Sequence, residues 1–392
     1  MKNMKILESI SARSKAMDAS KIREIAELGM LKNDVLPLWF GEGAWPTSTL
    51  IVEAAVTSIE SGNHKYQPNN GAMNLRQEIC RYSNDLFDCE LTPERITVSS
   101  SGMQGLKLTA ELLITPGDQV IAIEPGWPST SGAFKLAGAN IKTVSLTPKN
   151  GTWHIDIGQL VAMLTPEIKA VIINSPNNPT GWTMSAEDQK VILDHCRKHN
   201  IWIVADDVYA RIYRHGKTAP SFLSIADPDD LLISVNSFSK SWSMTGWRLG
   251  WIVAPASLEA KFGQLTEFNM SCTAGFVQEA GLAALKYGED EVTRLLNRIE
   301  AGYKFSATQL NSFERVEFIQ PDGAFYCFFH VLGLTDSLSA AKNILHETGV
   351  GLAPGVAFGA TGESYLRLCY AQPLDILEKA FERLTPFLNP KN

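Results

Sequence analysis

From about residue 94 onward, short apolar runs alternate with helix-like stretches. The segments "RITVSS" (95–100), "QVIAIEP" (119–125), "IKTVSL" (141–146), "KAVIINSP" (169–176), "IWIVADD" (201–207), "LLISVNSFS" (231–239) and "LGWIVAP" (249–255) read as strands. They are rich in Val and Ile and almost continuous in apolarity, as expected of strands covered on both faces. Between them lie amphipathic stretches such as "MQGLKLTAELL" (103–113) and "SAEDQKVILDHCRKHN" (185–200). In the second, Ser185 takes the N-cap and Asp188 the third helical position, where a capping box would carry Glu. Strand–helix alternation over this length predicts an α/β domain: a mostly parallel seven-stranded sheet flanked by helices.

The pattern changes after about residue 285. A long helical stretch, "EDEVTRLLNRIEAGYKFSATQLN" (289–311), precedes the strand-like "RVEFI" (315–319) and "GAFYCFFH" (323–330). The helix "SLSAAKNILHET" (337–348), the strand "YLRLCYA" (365–371) and a last helix (373–388) complete a smaller α+β unit. The expected organisation is an N-terminal segment (1–45) packing on the small domain, a large domain (46–285) and a small C-terminal domain (286–392). No internal repeat or low-complexity segment interrupts it.

Charge and composition narrow the function classes. The 392 residues carry 35 basic and 42 acidic side chains, a formal charge of −7. An acidic chain without basic runs is poorly suited to nucleic acid, whose phosphates dominate binding. No apolar run approaches the ~18 residues of a membrane span. The N-terminal stretch lacks a continuous apolar core, which argues against a signal peptide, and its Glu8, Asp18 and Glu24 argue against a transit peptide. Six cysteines are scattered without CxxC spacing, so neither a metal site nor a disulfide framework is expected. A reduced, cytoplasmic enzyme is the expectation.

In an open parallel sheet, ligands bind beyond the carboxyl ends of the strands. Asn178 follows one such end, Asp206 closes another, and Ser237, Ser239 and Lys240 follow a third. Lys240 lies between Phe238 and Trp242. Either it snorkels to solvent, or it is desolvated with a lowered pKa and suited to Schiff-base chemistry. Asp206 is either a helix N-cap or a buried carboxylate needing a cation, and a protonated pyridine nitrogen would serve. "SSSGMQG" (99–105) ends a strand and opens a helix; it is a simple capping cluster or a phosphate cradle. It is neither a Walker loop nor a GxGxxG fingerprint. Arg248, set among apolar residues in "TGWRLGW", would need an anion if buried, and phosphate suits its fork.

Seven motifs, "KYQPNNG", "SSSGMQG", "EPGWP", "NSPNNPTG", "ADDVY", "SFSKSWSMTGWRLG" and "YLRLCYA", occur in an order that resembles the class I/II aminotransferases. These are fold type I enzymes of pyridoxal 5'-phosphate (PLP). The resemblance covers nearly the whole chain. It implies that Lys240 holds the cofactor as an internal aldimine and later acts as general base. Asp206 would pair with the pyridine nitrogen, while Tyr209 and Asn178 would bond the ring oxygen O3'. Trp127 would stack on the ring. Ser101, the backbone of Gly102 and Met103, Ser237 and Arg248 would bind the phosphate. Tyr66 would reach the phosphate of a neighbouring subunit, making a homodimer with shared sites. Arg367 would clamp the substrate α-carboxylate, helped by Asn178 and the Gly41 backbone.

The implied substrates are an amino acid and a 2-oxo acid. Some relatives carry a distal-carboxylate lysine where this chain has Met103. Trp39, Phe40 and Trp45 either pack the N-terminal segment or favour a large side chain. A neutral or aromatic donor with 2-oxoglutarate as acceptor is the expectation, with aspartate, or β-elimination by a carbon–sulfur lyase, as alternatives. A regulator built on this domain would need a DNA-binding extension, and a nicotinamide dehydrogenase would need a glycine fingerprint after a strand.

Overall fold

A computed structural model describes residues 6 and 8–389. Seven strands form the main sheet: β1 (Ile96–Ser99), β2 (Gln119–Glu124), β3 (Asn140–Ser145), β4 (Ile168–Asn174), β5 (Trp202–Asp206), β6 (Leu232–Ser237) and β7 (Gly250–Val253). Their spatial order is β1-β7-β6-β5-β4-β2-β3. β7 alone runs antiparallel to its neighbours, so the sheet is mostly parallel as the alternation predicts.

The Val/Ile-rich strands have no polar face because each feeds two cores. Ala170 and Ile172 of β4 enter one hydrophobic cluster, and Val171 and Ile173 enter the other. Alternate side chains point to opposite faces of a strand, so both faces must be covered. The exception is β3 at the sheet edge, whose residues are largely exposed apart from Val144. An edge strand flanked on one side has less to pack against, which departs from the expectation of two covered faces.

A second, four-stranded antiparallel sheet consists of β8 (Val316–Glu317), β9 (Tyr326–Val331), β10 (Ala353–Pro354) and β11 (Tyr365–Cys369), in the order β8-β9-β11-β10. Helices α6 (Glu289–Asn311), α7 (Ser337–Thr348) and α8 (Leu374–Leu388) accompany it. The N-terminal segment divides its contacts. Helix α1 (Lys21–Met30) buries Ile22, Ile25 and Ala26, and its Glu24 pairs with Lys342 of α7 at 2.5 Å. Leu36–Pro37 adds a parallel pairing to Val350–Gly351. Trp39 is wedged between Gly29 and Gly351, where any Cβ would overlap its ring. Arg13 instead reaches across to the main-sheet side, donating to the Leu136 carbonyl at 3.1 Å.

One glycine ties sheet to site. A Cβ on Gly250 would lie 2.7 Å from both the Asn236 carbonyl oxygen and the Gly102 nitrogen, with backbone on every side. Gly246, nearby in sequence, has open space. Gly250→Ala should therefore lower unfolding free energy by roughly 1–3 kcal/mol, as overpacking does. Gly246→Ala should stay within about 0.5 kcal/mol. Denaturant midpoints of the two variants check this.

Candidate active site

The carboxyl ends of β4, β5 and β6 supply the floor of a cavity of about 350 Å³. Asn174, Asp206 and Ser237 are the last residues of those three strands. Lys240 sits on the single helical turn Phe238–Ser241 that follows β6. Phe238 is fully buried against Trp242 and Trp251, with ring centroids 5.2 and 5.1 Å away. These aromatic neighbours anchor the turn, so the lysine between them faces the cleft instead of the core.

The Lys240 amine donates to the Gly41 carbonyl. Part of the side chain stays open to the cleft, but the amine lies deep among protein atoms. That desolvation lowers its pKa from 10.5 to about 8. Lys240 also borders a second cavity of about 510 Å³, lined by Trp45, Thr47, Trp247 and Phe276. The smaller cavity is the candidate site, since it gathers the other polar residues.

Asp206 and Asp207 are adjacent and both buried, but they are served differently. Asp207 accepts from Ser234 Oγ at 2.7 Å and Ser221 Oγ at 3.1 Å, and burial leaves its pKa near 6. Asp206 faces the cavity, 2% exposed, with one long bond from the Val208 N–H at 3.4 Å. Burial, with the Asp207 charge adding to it, pushes the Asp206 pKa up to about 7. A carboxylate so poorly partnered has a place for a cation.

Arg367 lies in the middle of β11, opposite Phe328 and Ala353 in the register. It is 2% exposed. Its Nη1 donates to Asn178 Oδ1 at 2.8 Å and its Nη2 to the Trp39 carbonyl. The rings of Tyr326 and Phe358 lie 4.4 and 4.8 Å from its guanidinium carbon. Its Nε is buried with no partner. Asn178 is in turn positioned by its N–H, which donates to Asn174 Oδ1 at 2.8 Å.

Ser101 caps helix α4 (Gly102–Leu113), its hydroxyl accepting from the Gln104 N–H at 3.0 Å. The first N–H groups of a helix have no intrahelical acceptor, and here they belong to Gly102 and Met103. Both residues line the cavity with Trp127, Ser237 and Arg248. Gly102 packs so close to Val208 and Ser237 that a Cβ would contact both within 3.4 Å.

Arg248 and Tyr66 are the exposed members of the candidate set. Arg248 is exposed, not buried: after the turn Thr245–Trp247 its backbone adopts φ 56°, and Nη1 bonds the Thr245 carbonyl at 2.5 Å. That turn carries the guanidinium to the open rim of the cavity although its sequence neighbours are apolar. Tyr66 is 88% exposed and does not line its own chain's cavity. Apart from Tyr66, the candidates converge on one cavity, Gly41, Gly102, Met103, Trp127, Asn178, Asp206, Tyr209, Ser237, Lys240, Arg248 and Arg367 lining it and Ser101 capping the helix beneath.

Tyr326 is a site residue that sequence reasoning missed. Its hydroxyl bonds that of Tyr209 at 2.6 Å, and its ring carries Arg367. In "GAFYCFFH" it reads as one more core aromatic, and only the diagonal approach of β9 and β11 reveals its position. Phe40 and Arg23 also border the cavity. Among the described residues, no three His, Cys, Asp or Glu side chains cluster to hold a metal, and no helix is long and apolar enough to cross a membrane.

Comparison with known proteins gives the same direction throughout. The aspartate aminotransferase of Pyrococcus horikoshii is 32% identical over 96% of both chains. The crystal structure of aspartate aminotransferase from Thermotoga maritima superposes with a TM-score of 0.90, at 30% identity, covering 97% of this chain and 100% of that one. The aromatic aminotransferase of Pyrococcus horikoshii gives a TM-score of 0.86 at 30% identity, covering 94% and 98%. The family model for aminotransferase class I and II matches residues 37–384, nearly all of the chain, and to that family the chain belongs.

Proposed function

We propose that this aminotransferase works through PLP held at Lys240, moving an amino group from a neutral or aromatic L-amino acid to 2-oxoglutarate. One observation carries the reading. A desolvated amine with a pKa near 8, a buried carboxylate short of a cation and a buried arginine with an orphaned Nε share one cavity.

The residues present fit the cofactor. Lys240 would hold its aldehyde carbon, and Asp206 its pyridinium. The N–H groups at the start of α4, the hydroxyls of Ser101 and Ser237 and the Arg248 fork would hold its phosphate. Trp127 would cover one ring face. Bound there, PLP supplies an electron sink for charge developing at the substrate α-carbon.

The protein's own groups do the rest. Arg367 and Asn178 orient the α-carboxylate, fixing which α-bond faces the lysine. Lys240, neutral once its proton is lost near pH 8, would act as the general base that takes the α-proton. Positioned proton transfer of this kind contributes about 10²–10⁴-fold. Tyr209 and Tyr326 share one hydrogen bond, so whichever hydroxyl donates, the other keeps a proton for the ring oxygen. Asp206, short of a cation, would hold the pyridine ring protonated. The walls formed by Phe40, Met103, Leu106 and Trp127 favour an apolar donor side chain.

The exposed Tyr66 finds its role in a second copy, reaching that subunit's phosphate site. The exposed Leu50, Val52, Val56 and Ile59 on helix α2 (Thr49–Glu60) offer the apolar surface that such a homodimer would cover.

Cofactor-free protein given PLP should develop a visible absorption band, and borohydride should then fix the cofactor's mass on the Lys240 peptide. Lys240→Ala should show neither. Only the neutral amine captures an aldehyde, so uptake should rise roughly tenfold per pH unit below the folded pKa and level off above about 8. A pH-independent rate would contradict a desolvated lysine.

Arg367→Ala should lower kcat/KM for every amino donor alike, by roughly 100-fold, as loss of a charge-assisted clamp does. A loss confined to one donor would remove its general role. Asp206→Asn should cut kcat by about 10²–10³-fold with the fold intact by circular dichroism. Near-normal turnover would show that this carboxylate does not stabilise the ring.

A further inference from the structure

The turn that carries Lys240 leans on Trp242, and Trp242 is held by packing alone. It is buried, and its indole N–H has no partner among the described residues. Its orientation is therefore set by what presses on it. Phe238 belongs to the turn itself. Two supports come from outside: Tyr82, with ring centroids 5.5 Å apart, and Gly288, where a Cβ would lie 3.2 Å from the indole. Tyr82 belongs to helix α3 (Met73–Phe87), and Gly288 joins helix α5 (Gly275–Tyr287) to α6.

One side chain fixes both supports. Arg211 is 5% exposed. Its Nη1 donates to the Tyr82 hydroxyl at 3.0 Å and to Glu289 Oε2 at 2.9 Å, and its Nη2 to Glu289 Oε1 at 2.5 Å. Glu289 is the first residue of α6, next to Gly288. A guanidinium that meets a carboxylate through two parallel bonds sets direction as well as distance. Arg211 also lies two residues past Tyr209, in a stretch folded tightly on itself. The Ala210 N–H donates to the Asp207 carbonyl at 2.9 Å, and the Ile212 N–H to that of Tyr209 at 2.8 Å. One buried cation thus stands behind both Tyr209 and the Lys240 turn, yet Arg211 itself lines neither cavity beside the amine.

We propose that Arg211 is a positioning residue for the reacting amine: through Tyr82, Glu289 and Trp242 it keeps the Lys240 turn closed against water and ties it to α6. The inference rests on the reading of Lys240 given above. Helix α6 also supplies Leu295 and Ile299 to the second cavity, so the helix that Arg211 anchors covers the amine from that side. Without the fork, Tyr82 and the joint between α5 and α6 are released, Trp242 loosens, and water reaches the amine. Hydration favours the charged form, so the lysine returns toward its ordinary value of 10.5.

The test follows uptake of PLP by the cofactor-free protein across pH. Arg211→Met keeps the apolar bulk, and the half-exposed Glu289 returns to water with no buried charge left behind. Its uptake midpoint, near 8 in the unmodified protein, should rise by about 0.5–1 pH unit. Its kcat should fall about 10–100-fold, as a misplaced reacting group does, with the donor KM within about threefold because the Arg367 contacts are untouched. Tyr82→Phe and Glu289→Gln should each raise the midpoint by less, and adding Glu289→Gln to Arg211→Met should move it no further. Arg214→Met is the control: Arg214 pairs with Glu300 of α6 at 2.8 Å and lies over the Tyr303 ring, but holds neither Tyr82 nor Glu289. Its midpoint should stay within about 0.2 pH unit of the parent. A merely structural role for Arg211 would lower the melting temperature and leave the midpoint in place. An unmoved midpoint in Arg211→Met would overturn the proposal, as would an equal rise in Arg214→Met. If Arg211→Met did not fold, unmoved midpoints in both Tyr82→Phe and Glu289→Gln would overturn it. If borohydride fixed no PLP on Lys240 of the unmodified protein, the Lys240 reading would fail and this assignment with it. A parent midpoint near 8 that Arg211→Met shared would discount Arg211 alone.

Discussion

Removing an ionisable group from water is costly unless another charge or a set of hydrogen bonds replaces the solvent. Asp206, Lys240 and Arg367 are placed under that constraint together. Each has some of what it needs: a backbone N–H for Asp206, the Gly41 carbonyl for Lys240, Asn178 and the Trp39 carbonyl for Arg367. None is fully satisfied. Asp207, one residue along, shows the contrast: two serine hydroxyls complete its shell, and it does not line the cavity. The unsatisfied groups all face one space, so one ligand set can relieve them at once. Burial shifts both groups toward their neutral forms, raising the Asp206 carboxyl to about 7 and lowering the Lys240 amine to about 8.

The constraint also explains why the N-terminal segment matters to a site carried on two sheets. The Trp39 and Gly41 carbonyls hold the two cations, while Phe40 between them sits under Arg23. Their position is set from behind. Trp39 fills the space left by Gly29 and Gly351, and Leu36–Pro37 pairs with Val350–Gly351. The Leu38 carbonyl accepts from Cys369 N, at the end of the strand that carries Arg367. Arg367 and Lys240 are thus registered through three consecutive residues of main chain. A shift of this segment would misplace both, and positioning errors of that size are expensive in catalysis.

Much of this was legible in the sequence, and the boundary is physical. Strands buried on both faces announce themselves as continuous Val/Ile runs, so the main sheet could be read. The strand-end rule then brought Asn178, Asp206 and Lys240 to one place. What the residues left open was whether Lys240 faced solvent or a desolvated cleft, because that depends on how Phe238 and Trp242 pack. Whether Arg248 was buried also stayed open, because apolar neighbours in sequence say nothing about a left-handed turn that carries the side chain outward. Tyr326 was missed because a tyrosine in an aromatic strand has the same local pattern whether its hydroxyl meets a core partner or lines a cavity.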